Sequence, residues 1–439
     1  MIESQPNPPE RSDPPDRWFI LTLVSLNYFT LLLHRQVIGY VLPPLELELG
    51  LTETQQGWLL PAFIFPYGLS QLFMGYLSDR FRRRSILLYS LSGSVLVVAA
   101  MAFAKDFTQL LILRSCLGLA QAASVPAIGG IMADCFSPKN RSTAVSIYLL
   151  SYTLGLMAAG SVGGKLAENP WTFSLGESTL TLTGWRMAML AFSVFGAIML
   201  ITFGLLLREP DRTERNEEKG LGTSGGNYWA TLYAVLRVPS FWVLAAIFVL
   251  FSIITNARDI WLAKYFYTSL KMSESEAGRF ATIWIQPASF AGLLLGGMVA
   301  DRWSRRWKGG RSATCAIALV AWIPALLLMG TGRSTPVIAM AMICFGLVLG
   351  VYIANLWTTT FEIIDPAARS TSLGLLNVFS SFPSLVGPGL GALMDKGIIE
   401  NYGTAFAYLS GVALAGVVMF AIHIWVTLPR DYLGPVADD

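Results

Sequence analysis

Long apolar runs bounded by charged clusters recur along the chain, near 18–42, 54–78, 85–104, 107–135, 142–168, 185–207, 240–268, 274–300, 312–331, 335–363, 370–394 and 402–428. At 1.5 Å per helical residue, most are long enough to cross a hydrocarbon layer about 30 Å thick, so the pattern predicts an all-α protein with twelve membrane-spanning helices. Between the sixth and seventh runs, residues 208–239 are hydrophilic: Arg208, Glu209, Pro210, Asp211 and Arg212 lead, and Glu217, Glu218, Lys219 and a Gly/Ser stretch follow. That break reads as a cytoplasmic linker between two six-helix bundles, 18–207 and 240–428, with polar tails at 1–17 and 429–439. The first 17 residues are polar and proline-rich, so they are expected to be disordered and to hold no cleavable signal ahead of the first apolar run.

Composition agrees with lipid as the solvent. Of the 439 residues, 54% are hydrophobic and 13% charged, about half the charge of a soluble chain. Soluble enzymes and nucleic-acid binders are thereby excluded, and a net charge of +3 is too small to call for a polyanionic partner. Placement matters more than total. The amino tail, the loops after spans 2, 4, 6, 8 and 10, and the carboxyl tail hold 20 of the 31 basic residues, which predicts a multi-pass plasma-membrane protein with both termini in the cytoplasm. Cys116, Cys135, Cys315 and Cys344 lie in apolar stretches without CxxC spacing and read as buried small hydrophobes, with no metal site and no cofactor. Only His34 and His423 are present, far apart, with no G-x-S-x-G or H-E-x-x-H pattern, so an intramembrane enzyme is not expected. A monomer in contact with membrane lipid is the expected state.

An internal repeat runs through the chain. Gly75-Tyr76-Leu77-Ser78-Asp79-Arg80 returns as Gly297-Met298-Val299-Ala300-Asp301-Arg302, an offset of 222, and Pro138-Lys139-Asn140-Arg141-Ser142-Thr143 returns as Pro366-Ala367-Ala368-Arg369-Ser370-Thr371, an offset of 228. Two matches at nearly one offset predict two homologous, pseudo-symmetric bundles, the arrangement in which carriers bind substrate at the interface between repeats.

Gly75 to Arg84 resembles the signature loop of the major facilitator superfamily, G-x-L-x-D-R-x-G-R-R, and Gly297 to Arg306 resembles its second copy. The resemblance implies that Gly75, Asp79, Arg80, Arg83, Asp301 and Arg302 serve gating rather than substrate choice. Arg82 departs from the pattern, which has glycine there; spinster-like lipid carriers are similar in that respect.

Ionisable groups at membrane depth cost on the order of 3 kcal/mol each on insertion scales, so each needs a partner, a wet cavity or a function. Arg35 lies 8 residues before Pro43 and Arg114 7 residues into span 4, which puts both roughly 10–12 Å below the same surface. Two guanidinium groups at one level repel unless an anion lies between them, and their planar forks suit carboxylate or phosphate; snorkelling or backbone anchoring is the plainer alternative for Arg114. The stretches starting at Arg35 and Arg114 resemble the first and fourth helices of organic-anion carriers of the anion:cation symporter group and of spinster-like carriers. That resemblance implies an anion-binding role for both arginines. Its acidic partners are missing: His34 stands in place of the family's aspartate and Gln121 in place of its glutamate.

His34 is therefore one candidate for ion coupling. Asp259, beside Arg258 deep in span 7, is another, although mutual neutralisation explains that pair equally well. Glu362 reads as an interfacial gate or loop contact. Tyr40, Gln71, Gln121, Tyr152, Gln286, Asn355, Trp357 and Asn377 are candidates to complete a polar cavity, with helix packing as the alternative for each. Gly155, Gly160, Gly163 and Gly164 in span 5 read as close packing by small residues.

The sequence thus predicts a secondary active carrier of a small organic anion, a carboxylate or sugar acid, moved with a proton or sodium ion. The alternative is a spinster-like exporter of lysolipid or another amphiphilic anion. It draws on Arg82, Gly184-Trp185-Arg186 before span 6 and Arg208-Glu209-Pro210 after it.

Overall fold

The computed structural model describes residues 14–175, 178–208, 228–365 and 368–433. In the first bundle lie α1 (Arg17–Tyr40), α2 (Leu42–Leu49), α3 (Glu53–Trp58), α4 (Pro61–Arg80), α5 (Arg83–Met101), α6 (Phe107–Gln121), α7 (Ser124–Cys135), α8 (Pro138–Ala167) and α9 (Gly184–Leu206). The second holds α10 (Tyr228–Leu236), α11 (Pro239–Ser269), α12 (Glu274–Ile283), α13 (Ile285–Ser304), α14 (Gly310–Thr331), α15 (Thr335–Phe361), α16 (Arg369–Ser381), α17 (Val386–Asp395), α18 (Tyr402–Ile422) and α19 (Leu428–Asp431). Among the described residues, ten spans are long and apolar enough to cross a membrane. With α1 and α3–α4 they are consistent with twelve, and α1 is less apolar because it carries Asn27, His34, Arg35 and Gln36. Residues 1–13 and 434–439 of the expected tails and 209–227 of the expected linker lie outside the described residues; Tyr228–Leu236, also read as linker, is helical.

Several spans are broken, and each break has a proline beside it. Pro61 opens α4, Pro126 and Pro287 lie in the first turns of α7 and α13, and Pro383 lies in the 3₁₀ turn Phe382–Leu385 between α16 and α17. A proline ring clashes with the preceding turn and offers no N–H, so it fits the start of a helix and not its middle. The breaks leave carbonyls without helical partners near the middle of the protein, where side chains then take them up.

The repeat is also built into buried charge. In the first bundle Arg83, at the start of α5, pairs with Asp134 of α7; both are buried, and Gly130 is close enough that an added Cβ would run into the Arg83 guanidinium. In the second, Arg311 Nε donates to Glu362 Oε1 at 3.0 Å, while its Nη1 and Nη2 donate to Asn355 Oδ1 at 3.1 Å and Asp301 Oδ1 at 2.7 Å. Residues 83 and 311, and likewise 134 and 362, are 228 apart, the offset already seen in the loops. Glu362 is thus an ion-pair partner within its own bundle. Both clusters lie on the face that carries the chain termini.

On the opposite face the bundles close on each other. Gly57 of α3 meets the backbone at Gly387 of α17, and Gly160 of α8 meets Gly278 of α12; a Cβ at any of the four would strike backbone. Asp395, at the end of α17, accepts from Glu53 N–H at 3.0 Å, Thr54 N–H at 3.0 Å and Thr54 Oγ1 at 2.6 Å, capping a helix of the other bundle. At the centre of the seal, the Lys264 side chain of α11 is 2% exposed. Its Nζ lies 2.6 Å from Glu46 Oε2 and donates to Glu53 Oε1 at 2.8 Å and Gln56 Oε1 at 2.7 Å.

One all-helical expectation is corrected locally. Trp171–Leu175 and Ser178–Leu182 form an antiparallel hairpin with Trp171 opposite Leu182, and the alternation in Trp171-Thr172-Phe173-Ser174-Leu175 is the signal that announces it. Beside it, Glu48 of α2 accepts from Thr183 Oγ1, from Trp185 Nε1 at 2.6 Å and from Arg186 Nε at 2.8 Å, while Arg186 also donates to Ala102 O and Ala104 O. Partial burial alone would raise the Glu48 carboxyl, but these hydrogen bonds outweigh it and hold the group below the ordinary carboxylate value. A carboxylate depressed by folding stabilises above its unfolded pKa, roughly 4.3, and loses that contribution as pH falls through its folded value. Glu48→Gln is expected to melt earlier than wild type at pH 7 and to show a shallower loss between pH 6 and 3.5, measured by thermal unfolding.

Candidate functional site

Near the axis of the molecule, tyrosines and a few charges from both bundles meet. Arg35, half-buried on α1, lies over the rings of Phe63 at 4.7 Å and Tyr67 at 4.9 Å, and the Tyr67 hydroxyl is within electrostatic reach of the Arg35 guanidinium. Tyr28 stacks on Tyr148 at 4.7 Å and on Tyr152 at 6.4 Å. Tyr152 is within electrostatic reach of Arg35 on one side and of Arg258 and Asp259 on the other. Tyr40, Arg258, Asp259, Leu262, Ala281 and Gln286 then enclose about 10 Å³ between the bundles, room for about one water. At Gly39 an added Cβ would meet Asp259 O at 2.8 Å, so α1 and α11 touch through backbone here.

The two arginines expected to share an anion have different surroundings. Arg114 is fully buried; its Nε donates to Leu59 O and its Nη1 to Arg35 O, each at 3.0 Å, and its guanidinium lies 5.2 Å from the Phe63 ring. Leu59 O sits at the α3–α4 break, one of the carbonyls that a proline-interrupted helix leaves over. Only Nη2 of Arg114 has no partner. Arg114 is therefore a clamp on α1, α3–α4 and α6 with one free prong. Arg35 keeps its fork: among the described residues no carboxylate pairs with it, and tyrosine hydroxyls and ring faces surround it.

Other expected positions separate in the same way. His34 faces away from Arg35: its Nε2 lies 2.9 Å from Phe192 O and its ring packs on Gly196 of α9, fully buried. Consecutive helical residues point about 100° apart, so a histidine next to Arg35 in sequence is directed into the α1–α9 contact. Gln121 Nε2 donates to Leu31 O at 3.1 Å and ties α6 to α1. Asn355 belongs to the Arg311 cluster, donating to Gly296 O and Val351 O. Asn377 lies on α16, whose carbonyl at that residue accepts from Ser380 and Ser381 near Gly68 of α4. Arg258 pairs with Asp259. Asp301 meets Arg311, and Arg302 is exposed. Gly75, Asp79 and Arg80 fall at the end of α4, and their side chains lie outside the described set. The span 5 glycines pack: Gly155 on Leu32, Gly163 on Val37 and Phe192, and Gly164 so close to Glu274 that an added Cβ would meet its carbonyl oxygen at 2.7 Å.

Sequence reasoning passed over Lys264, Tyr28 and Tyr67. A lysine within the apolar run 240–268 was a visible signal; its acidic partners lie more than 200 residues away and were not.

Two repeated bundles around a polar axis are the architecture of a carrier, and residues 24–388 match the profile of the Major Facilitator Superfamily. The chain belongs to the major facilitator superfamily. It is a multi-pass membrane transporter and not an enzyme. Among curated superfamily relatives it is 21% identical to sialin of Ovis aries over 84% of this chain and 74% of that one. It is 23% identical to a probable galactarate/D-glucarate transporter of Bacillus subtilis over 93% and 92%. Among solved structures, a bacterial homologue of the human lysosomal transporter spinster, inward-facing and unoccupied, superposes with a TM-score of 0.76 over 97% of this chain and all of that one, at 21% identity; that likeness is one of fold.

Proposed function

We propose that this chain is a secondary carrier of a small organic anion, a carboxylate or sugar acid, which binds at Arg35 between the bundles 18–207 and 240–428. The observation that carries this reading is a half-buried guanidinium with no carboxylate partner among the described residues, ringed by Tyr28, Tyr67 and Tyr152 and facing Arg258 and Asp259 across the interface. A cation held in low dielectric without a counter-ion is an anion site, and hydroxyls around it suit a polyhydroxylated body. The names of the sialin and galactarate/D-glucarate relatives support the same cargo class.

Basic residues concentrate on the face that carries the termini, which supports a cytoplasmic assignment for that face and an external one for the sealed face, in a plasma membrane. Transport proceeds by rocking of one bundle against the other, by a monomer, with a cation as co-substrate. With the family's acids absent at 34 and 121, Asp259 is the coupling carboxylate; it lines the inter-bundle space, and its Arg258 partner is free to exchange it for substrate. Arg186 holds Glu48 and two carbonyls, and relatives named spinster keep the lysolipid alternative as the second reading.

Counterflow in proteoliposomes tests the reading. Internal hexuronate or hexarate is expected to drive uptake of the labelled acid at least about tenfold above the neutral hexose, since a charged hydrogen bond is worth about 1.5–3 kcal/mol. Counterflow with lysophospholipid alone would transfer the chain to the exporter class.

A further inference from the structure

Away from the axis, the terminal face carries a basic hollow that transport does not use. Arg82 and Arg84, with Ser85, lie at the start of α5 and face Leu205, Leu207 and Arg208 at the end of α9 around about 270 Å³. Among the described residues, three guanidinium groups and no carboxylate line it. Arg84 Nη2 donates to Gly204 O at 2.6 Å, which fixes one wall to α9. Arg82 and Arg208 are exposed, and Arg82 stands where the superfamily loop pattern has glycine.

Arg82 and Arg208 face each other across the hollow, and a doubly or singly charged phosphate between them matches both arginine forks. The apolar wall tells which phosphate. Leu205 is 78% exposed at the last turn of a membrane-spanning helix, so the hollow opens where hydrocarbon gives way to headgroups. A free phosphate gains nothing from that leucine; the first carbons of an acyl chain do. Basic pockets between spans on this side of a membrane are suited to anionic headgroups.

We propose that Arg82 and Arg208 bind the phosphate headgroup of an anionic phospholipid in the leaflet at the terminal face, bridging α5 to α9. The site is independent of the cargo. The test releases the full chain from nanodiscs of equal phosphatidylglycerol and phosphatidylcholine and counts retained lipid by native mass spectrometry. Wild type is expected to retain phosphatidylglycerol preferentially, and R82G/R208Q to lose that preference by roughly 30-fold, about fivefold per arginine. Melting in phosphatidylcholine alone checks that the variant is folded; if it is not, R82G, which restores the pattern's own residue, replaces it with an expected loss of about fivefold. Equal preference in wild type and variant would overturn the site. Inorganic phosphate that raises the wild-type melting temperature as much as phosphatidylglycerol, and not that of the variant, would overturn the lipid as its source.

Discussion

Lys264→Met is expected to unlock the seal between the bundles. Its ammonium, almost fully buried, is shared by Glu46, Glu53 and Gln56 of the other bundle and lies 5.8 Å from the Trp261 and Tyr402 rings. Without it, two carboxylates face each other at a closed interface, with Asp395 and Tyr402 near Glu53. Removing the buried lysine strands two partly exposed carboxylates, at a cost of about 1–3 kcal/mol. The closed state bears that cost while an opened, hydrated state does not, so the ratio of the two is expected to move by roughly tenfold or more toward the state open at that face. Spin labels at Leu47 and Lys396, exposed on opposite bundles, report it as a new long-distance population. A distance distribution identical to wild type would contradict the latch. Adding Glu46→Gln and Glu53→Gln to Lys264→Met is expected to restore much of the closed population, because it removes the stranded charges rather than the packing.

Arg114→Ala is expected to lose the fold before it loses the substrate. The side chain holds the carbonyls of Leu59 and Arg35 and fills a site with no solvent access. Its removal orphans the buried carbonyl of Leu59, at about 1–3 kcal/mol, takes a second donor from the Arg35 carbonyl inside α1, and leaves a cavity besides. Size-exclusion chromatography and thermal melting are expected to show a far larger loss for Arg114→Ala than for Arg35→Ala. Arg114→Lys is not expected to rescue, since one ammonium cannot reach two carbonyls in the geometry of a planar fork. Equal stability for Arg114→Ala and wild type would return this residue to the cargo.

The spans were legible because lipid admits few backbone solutions and apolar length marks them; the proline-marked breaks inside them were not read. Arg35 and Arg114 were legible as a pair by counting residues from the membrane surface. Their division of labour was not, because it depends on Leu59, a carbonyl freed by the break before Pro61 that no side-chain pattern reveals. His34 was misplaced for a local reason, since adjacency in sequence is divergence on a helix. Arg311 and Glu362 read as a topogenic charge and a loop contact, yet the 228-residue offset applied to Arg83 and Asp134 leads directly to them. The Lys264 latch joins elements more than 200 residues apart, and only packing shows it.

Arg35 is proposed to read the carboxylate of the cargo. The most direct test is the ratio of hexuronate to hexose counterflow in wild type and Arg35→Gln, at matched amounts of folded protein. The expected result is a wild-type ratio of at least about ten that falls to near one in Arg35→Gln. An unchanged ratio, with the acid still preferred by Arg35→Gln, would contradict the claim.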